Sequence, residues 1–427
     1  MKKSLILGAA AMAALVAVPQ ADAAEVDLGG YYMMRYTDSD ATLTDTVTNN
    51  DATDDQSGWF QRMQLDVDAK ISDKTSAHIH MRPMGSSDAI QGANDSDAGD
   101  SLDIKRVWME TEMYGVGIKI GNMPLSINDK ILFKDDGGSY GTTLLAKSFG
   151  DMTVVGLNVR VSEGLTSTGN ADTDQADIYG LSLVGKAGNV NYQLTWAHLD
   201  IDDNFANAAV ADSTNNWGAL SVGTDLGGVN LHGTAIWEGG HSGGTADTQR
   251  DGSDFLAALR LNGKTGFGGW KAYGVYAGED FSHPQSTYYT SARTTPDFSP
   301  TWRQGGPGGV SLLETWAKGA GTGTTTALMQ NMWAVGAGVD VKAGAWTISP
   351  SVDYAAVVEK SVGGTDTTDS ASAWGGTLSA KTSLDEGTTF ALIGKYVAPS
   401  DDDAVAQDAN GDVEDMHSLQ AEFKVKF

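Results

Sequence analysis

The chain lacks cysteine altogether and is poor in basic residues. Without cysteine it has no disulfides, no Cys-ligated zinc sites and no thiol nucleophile. Lys and Arg number 28 against 55 Asp and Glu, which gives a formal net charge of −27. Because an acidic chain repels phosphate backbones, we expect no nucleic-acid partner.

Long apolar runs are missing too, except at the N-terminus. There, Lys2-Lys3 precedes an apolar stretch over residues 4–18 and the A-x-A site Ala21-Asp22-Ala23. This pattern predicts a secretory signal peptide over residues 1–23, followed by a single domain over residues 24–427. No later stretch reaches the roughly 18 apolar residues of a membrane-spanning helix.

The remaining sequence is rich in alternating apolar and polar residues. From Trp59 to Ile71, apolar side chains dominate the odd positions and polar ones the even positions. The alternation lasts well beyond the usual strand of about five or six residues. A tilted strand that crosses a bilayer needs about nine to eleven.

The same unit recurs along the chain as hairpins with short turns at one end and long polar connections at the other. This asymmetry is typical of an all-β transmembrane antiparallel barrel, which closes on itself because a bilayer tolerates no unpaired strand edge. We predict about 18 strands, with 16 as the alternative. Their predicted spans are 25–37, 58–71, 75–84, 102–114, 116–122, 141–149, 152–162, 177–187, 189–198, 216–226, 228–238, 254–263, 269–279, 331–342, 345–357, 373–384, 388–397 and 416–427.

Aromatic residues cluster near the predicted strand ends, as in the girdles that barrels place at membrane interfaces. We assign to these girdles Tyr36, Trp59, Trp196, Trp217, Trp237, Trp333, Trp346 and Trp374. A soluble secreted β-solenoid or a string of sandwiches is the alternative, and strand length and loop asymmetry disfavour it.

Two segments carry a family resemblance. The last strand alternates apolar residues from His417 to a terminal Phe427, which resembles the assembly signal of Gram-negative outer-membrane proteins. The segment 121–127, Gly-Asn-Met-Pro-Leu-Ser-Ile, with the acidic loop after it, resembles the junction between a strand and the inward loop of bacterial porins.

The resemblance implies a location in the outer membrane, among lipid and lipopolysaccharide, after recognition of Phe427 by the barrel-assembly machinery. It also implies that the loop over about 123–140 folds into the lumen and that the protein is a homotrimer. Small residues predicted to face outward suit such subunit contacts, notably Gly233, Ala235 and Ala257.

The alternation also predicts which side chains line the lumen. In the first four strands the inward positions include Arg35, Arg62, Arg82 and Arg106, together with His80. The parity of the fourth strand breaks at 103–105, which indicates a bulge. We predict that the four arginines form a basic wall. By the porin resemblance, this wall faces Asp129, Asp135 and Asp136 of the inward loop across a charged constriction.

Other motifs predict little chemistry. Residues 240–244 match G-x-S-x-G, but no helical pattern follows as a nucleophile elbow requires. His78 and His80 point the same way without a third ligand, so we predict no metal there. We expect no enzyme activity and no cofactor, apart from weak divalent-cation binding, such as Ca²⁺, at Asp408, Asn410 and Asp412.

The predicted function is a porin, a passive diffusion channel for ions and small hydrophilic solutes. A substrate-specific channel is the near alternative. Such a channel needs aromatic residues or an extended row of basic residues in the lumen, and Tyr31, Trp108 and Tyr273 are predicted to face inward. A structural or adhesive barrel with a plugged lumen is the more distant one. The long loop 280–328 is either a lid over the pore or a surface excursion.

Overall fold

The structure is a computed structural model of the chain. It describes residues 25–40, 42–45, 50–53, 56–82, 103–128, 131–135, 141–163, 175–201, 214–242, 250–252, 254–266, 268–278, 281, 332–357, 361–362, 365–366, 372–400 and 415–427. The predicted signal peptide lies outside the described residues, as does most of the loop 280–328.

Eighteen long strands form the main sheet. Their bounds are β1 Glu25–Asp40, β2 Gln56–Ser72, β3 Thr75–Arg82, β4 Asp103–Met113, β5 Val116–Asn122, β6 Gly141–Phe149, β7 Met152–Glu163, β8 Gln175–Ala187, β9 Val190–Ile201, β10 Thr214–Asp225, β11 Val229–Ser242, β12 Phe255–Thr265, β13 Gly268–Ala277, β14 Met332–Ala343, β15 Trp346–Val357, β16 Ser372–Asp385, β17 Thr388–Pro399 and β18 Met416–Lys426.

The sheet closes into a barrel. Each strand pairs antiparallel with the next, and β1 also pairs with β18 from Tyr31–Lys426 to Asp40–His417. The backbones of Gly30 and Phe427 exchange hydrogen bonds of 3.0 and 3.2 Å and extend this seam to the last residue. The prediction of 18 strands is therefore confirmed, and the alternative of 16 is wrong.

Connections of two or three residues join the strands at one rim, and longer ones join them at the other. At the turn between β4 and β5, Tyr114 and Gly115 both have positive φ, 54° and 71°. Two such residues form the type I′ turn, whose twist matches that of the flanking strands. Because the strand number is even, both chain ends of the barrel lie on the short-turn rim.

Short strands extend the long-connection side. Residues 42–45 pair with 50–53, 361–362 with 365–366, and 250–252 with the end of β11. Within the loop after β5, Leu125–Ile127 pairs with Phe133–Asp135. Among the described residues, no helix is long and apolar enough to cross a membrane.

Side chains alternate between the two faces of the wall, as in any strand. Large apolar side chains are widely exposed on one face, for example Leu194 at 53% and Trp237 at 58%. This is the outer face, because the opposite face carries Arg35 and Arg62 and contacts the loop after β5. The aromatic girdle prediction is wrong for Trp217, which has the inward parity on β10 and is fully buried.

Candidate functional site

Four arginines lie on the inner faces of four neighbouring strands. Met33, the inner neighbour of Arg35 on β1, pairs with Arg62 on β2. On β3, Arg82 is the residue after Met81. Met81 pairs with Leu65 on β2, which is three residues along that strand from Arg62. Diagonal neighbours of this kind lie roughly 7–8 Å apart across a strand pair. The structure thus arranges the predicted arginines as a stepped row.

A bulge at the start of β4 keeps the row continuous. His80 pairs with Arg106, but Met81 pairs with Ile104, so Lys105 is the extra residue of a β-bulge. The extra residue returns Arg106 to the inward face, beside His80 and two positions from Arg82. The break in parity at 103–105 predicted this bulge.

The row begins at the seam where the barrel closes. Arg35 is 2% exposed, and its guanidinium donates a hydrogen bond to the carboxylate of Glu422 on β18. Below this ion pair, towards the short-turn rim, the Lys424 ammonium lies 3.9 Å from the centre of the Tyr31 ring. Lys426 pairs with Tyr31 across the same seam. The inner face of β18 therefore continues the basic surface downward.

Sequence reasoning missed these β18 residues. The resemblance rests on the apolar outer face of the strand, whereas the inner face carries Ser418, Gln420, Glu422, Lys424 and Lys426. The same alternation would have predicted it. Lys395 on β17 was also missed, and it is buried on the inner face, paired with Ser418.

Below the arginines, the wall carries a cluster of histidine, aspartate and tryptophan. His78 Nδ1 donates to Asp68 Oδ1 at 2.5 Å, and its Nε2 lies 3.0 Å from the Ser76 hydroxyl. The His78 ring stacks on Trp108 with a centroid distance of 4.6 Å. His80 meets the same indole edge-on at 4.9 Å.

An ion pair continues this cluster onto β5. Glu110 Oε1 accepts from Lys119 Nζ at 2.7 Å and from the indole N–H of Trp108 at 3.1 Å. Next to them, Gly121 faces Trp108 across the β4–β5 pair. A Cβ at Gly121 would lie 2.3 Å from the carbonyl oxygen of Val107, so this position requires glycine.

The loop after β5 crosses to a distant part of the wall. Asn128 Nδ2 donates to the Gln193 carbonyl on β9 at 3.2 Å and to Ser221 Oγ on β10 at 3.0 Å. The Asn128 backbone N–H donates to Gln193 Oε1 at 3.2 Å. Asn128 is fully buried and has a positive φ of 47°, which asparagine tolerates better than most residues. These contacts place the loop segment inside the barrel.

Apolar side chains hold the loop against that wall. From the loop, Leu125, Ile127, Ile131 and Leu132 join one buried cluster with inward residues of β9 to β12, among them Leu199, Trp217, Ile236 and Leu256. In the ring of 18 strands, β10 lies opposite β1. The loop therefore packs on the wall that faces the arginine row.

The acidic half of the predicted constriction is not described. Asp129 and Asp136 lie outside the described residues, and Asp135 is placed only as backbone in a short strand. The predicted divalent-cation site at Asp408, Asn410 and Asp412 also lies outside them. Among described residues, no group of three or more acidic or histidine side chains is arranged to hold a metal ion.

Solved structures with a similar fold include three bacterial outer-membrane channels or porins. The chain is similar to Pseudomonas aeruginosa OccK9 (OpdG), with 12% identity and a TM-score of 0.54. It is also similar to Acinetobacter baumannii OccAB4, at 11% and 0.57, and to a BenF-like porin from Pseudomonas fluorescens Pf-5, at 12% and 0.55. Each match covers 94% of this chain and 98% of the other.

No family profile and no curated protein matches the sequence itself. At 11–12% identity the structural likeness concerns the fold, and it extends over almost the whole of each chain. It agrees with the resemblance carried by the terminal strand and the loop junction. The chain has the fold of the outer-membrane porins of Gram-negative bacteria.

Proposed function

We propose that this protein is an outer-membrane channel through which small hydrophilic solutes and ions diffuse, with a preference for anions. The observation that carries the proposal is the basic surface of the inner wall. It runs over adjacent strands, from β17 through the seam to β4, and consists of Lys395, Lys424, Lys426, Arg35, Arg62, Arg82 and Arg106.

Confinement makes these charges effective. Inside a narrow pore with low-dielectric walls, a fixed charge acts on a passing ion more strongly than a charge on an open surface does. The chain as a whole carries a net charge of −27, so a surface on which basic residues are concentrated differs in sign from the protein's overall charge. Salt screens surface charge beyond a Debye length of about 10 Å at 0.1 M. At high ionic strength the inner wall therefore controls ion preference.

The length of the basic surface favours the substrate-selective form of this function. Lys395 pairs with Ser418 near the long-connection end of the seam, and Lys426 pairs with Tyr31 near the short-turn rim. An anionic solute that travels along the wall would pass cationic groups at several levels between these two ends. We therefore propose selection of small solutes that carry a carboxylate or a similar anionic group.

Assembly and location form part of the same proposal. An outer face with exposed Leu28, Leu181 and Leu378 suits contact with lipid and lipopolysaccharide. On that face Ala235 pairs with Ala257, and Gly233 pairs with Leu259, which leaves a shallow strip for close packing of subunits. We propose the outer membrane as the location and keep the homotrimer as a prediction.

Solute uptake into proteoliposomes tests the function. We expect labelled gluconate, glucose and choline to enter vesicles that contain the protein, with gluconate entering fastest, while empty vesicles take up none. Equal rates for gluconate and choline would contradict the anion preference. Absence of all uptake would favour a structural barrel with a plugged lumen.

A further inference from the structure

Two histidines on the inner wall lie within reach of carboxylates. His78 donates to Asp68 at 2.5 Å, and His80 Nε2 lies 3.8 Å from Asp66 Oδ1. Both rings are about one-fifth exposed, so protons can reach them from the lumen. An imidazole changes its charge between about pH 5 and 8, where ordinary carboxylates and ammonium groups keep theirs.

Trp108 holds both rings in the wall. The His78 ring lies nearly parallel to the indole, at an interplanar angle of 11°, and the His80 ring lies nearly perpendicular to it, at 76°. A cation over the face of an indole is favourable. The rings can therefore gain a proton without swinging away, and the new charge stays on the pore wall.

Hydrogen bonding at His78 suits both protonation states. In the neutral ring, Nδ1–H donates to Asp68 and Nε2 accepts from the Ser76 hydroxyl. In the charged ring, Nε2–H donates to Ser76, whose hydroxyl rotates to accept it. For His80, Nδ1 is buried and has no hydrogen-bond partner among the described residues. The carboxylate of Asp66 attracts a proton on His80, whereas the cation of Arg106, directly opposite on β4, repels it.

The surrounding charges are nearly balanced, so one proton changes the local sign. The groups that face the two histidines from their own and the packed strands are Arg82 on β3, Asp66, Asp68 and Lys70 on β2, Arg106 and Glu110 on β4, Lys119 on β5 and Asp27 on β1. Four are cationic and four anionic. Two protonated imidazoles turn this patch positive, directly below the arginine row.

We propose that His78 and His80 are specificity-determining residues whose protonation extends the basic surface and raises the anion preference of the channel. The inference rests on the proposed channel function. It assigns to the pore a selectivity that depends on the pH of the medium, and it places the control in the wall rather than in the loops.

Reversal potentials under a KCl gradient, measured from pH 8 to pH 5.5 in high salt, test the proposal. We expect the chloride-to-potassium permeability ratio of the wild type to rise by about twofold or more over this range. The double variant H78Q/H80Q should show less than half of that rise. A matched control is H198Q, because His198 lies on the outer face, stacked on Trp196, and should leave the rise unchanged.

The possible outcomes separate the two proposals. A channel whose permeability ratio does not change with pH overturns the inference and leaves the channel function standing, and this result needs no variant. An equal rise in wild type and double variant also overturns it. A protein that forms no channel overturns the proposed function together with the inference.

Discussion

Arg35 and Glu422 form an ion pair across the seam that joins the first strand to the last. Arg35 is 2% exposed and Glu422 is 20% exposed, so the pair is largely shielded from water. The two residues are directly opposite in the β1–β18 register. The same contact therefore helps to close the barrel and fixes the position of Arg35 within the basic surface.

Loss of the carboxylate should destabilise the closed barrel. In E422Q the buried Arg35 loses its charged partner, and breaking a buried pair from one side costs about 3 kcal/mol. We expect a lower urea midpoint for E422Q, measured by heat-modifiable mobility on gels. The double variant R35M/E422L should regain much of the stability, because neither residue then leaves a buried charge. Equal stability of E422Q and wild type would show that the pair does not hold the seam.

Substitution by alanine should reduce the folded yield at one of two adjacent glycines near the seam and leave it normal at the other. A Cβ at Gly30 would lie 2.2 Å from the Gln64 carbonyl oxygen, a backbone atom that cannot move away without disturbing the β1–β2 ladder. A Cβ at Gly29 would meet nothing closer than 3.6 Å. We expect G30A to yield far less folded barrel than wild type and G29A to fold normally. A normal yield from both would contradict the register described for β1.

The anchor of the inner loop should control the width of the path. N128A removes two side-chain hydrogen bonds to β9 and β10, each worth about 1 kcal/mol, and leaves alanine in an unfavourable left-handed conformation. We expect larger or noisier single-channel conductance in planar bilayers, because the loop segment loosens. The control S126A changes an exposed residue of the same loop and should leave conductance unchanged. Identical traces for N128A and wild type would mean that the loop does not limit the path.

Much of the fold follows from the sequence because period-2 alternation is long and repeated. The predicted strands differ from the observed ones by a few residues at their ends, and even the bulge at Lys105 left a signal in the parity. The four arginines and His80 lie on the predicted face for the same reason. Parity is a local property, so it needs no knowledge of which strands meet.

Contacts between distant parts of the chain cannot be predicted from the alternation within single strands. Arg35 and Glu422 are 387 residues apart, and only the closure register brings them together. The docking of Asn128 on Gln193 and Ser221 depends on how the loop crosses the lumen, which no sequence period encodes. Trp217 was misassigned because its position near a strand end suggested a girdle, whereas its parity placed it inside.

Removal of arginines from the middle of the row should weaken anion preference. In R62S/R82S two adjacent cationic steps are lost, and the remaining wall includes Asp66, Asp68 and Glu110. We expect the reversal potential to shift towards potassium and conductance to rise as the path widens. The control K147S changes a cation with outward parity on β6 and should alter neither.

The zero-current potential of the wild-type protein in a planar bilayer between two KCl concentrations measures its ion preference. Both concentrations are set high enough to screen the acidic loops. We expect discrete conductance steps and a potential whose sign shows that chloride is more permeant than potassium. Steps with a preference for potassium, or a bilayer that stays silent, would contradict this expectation.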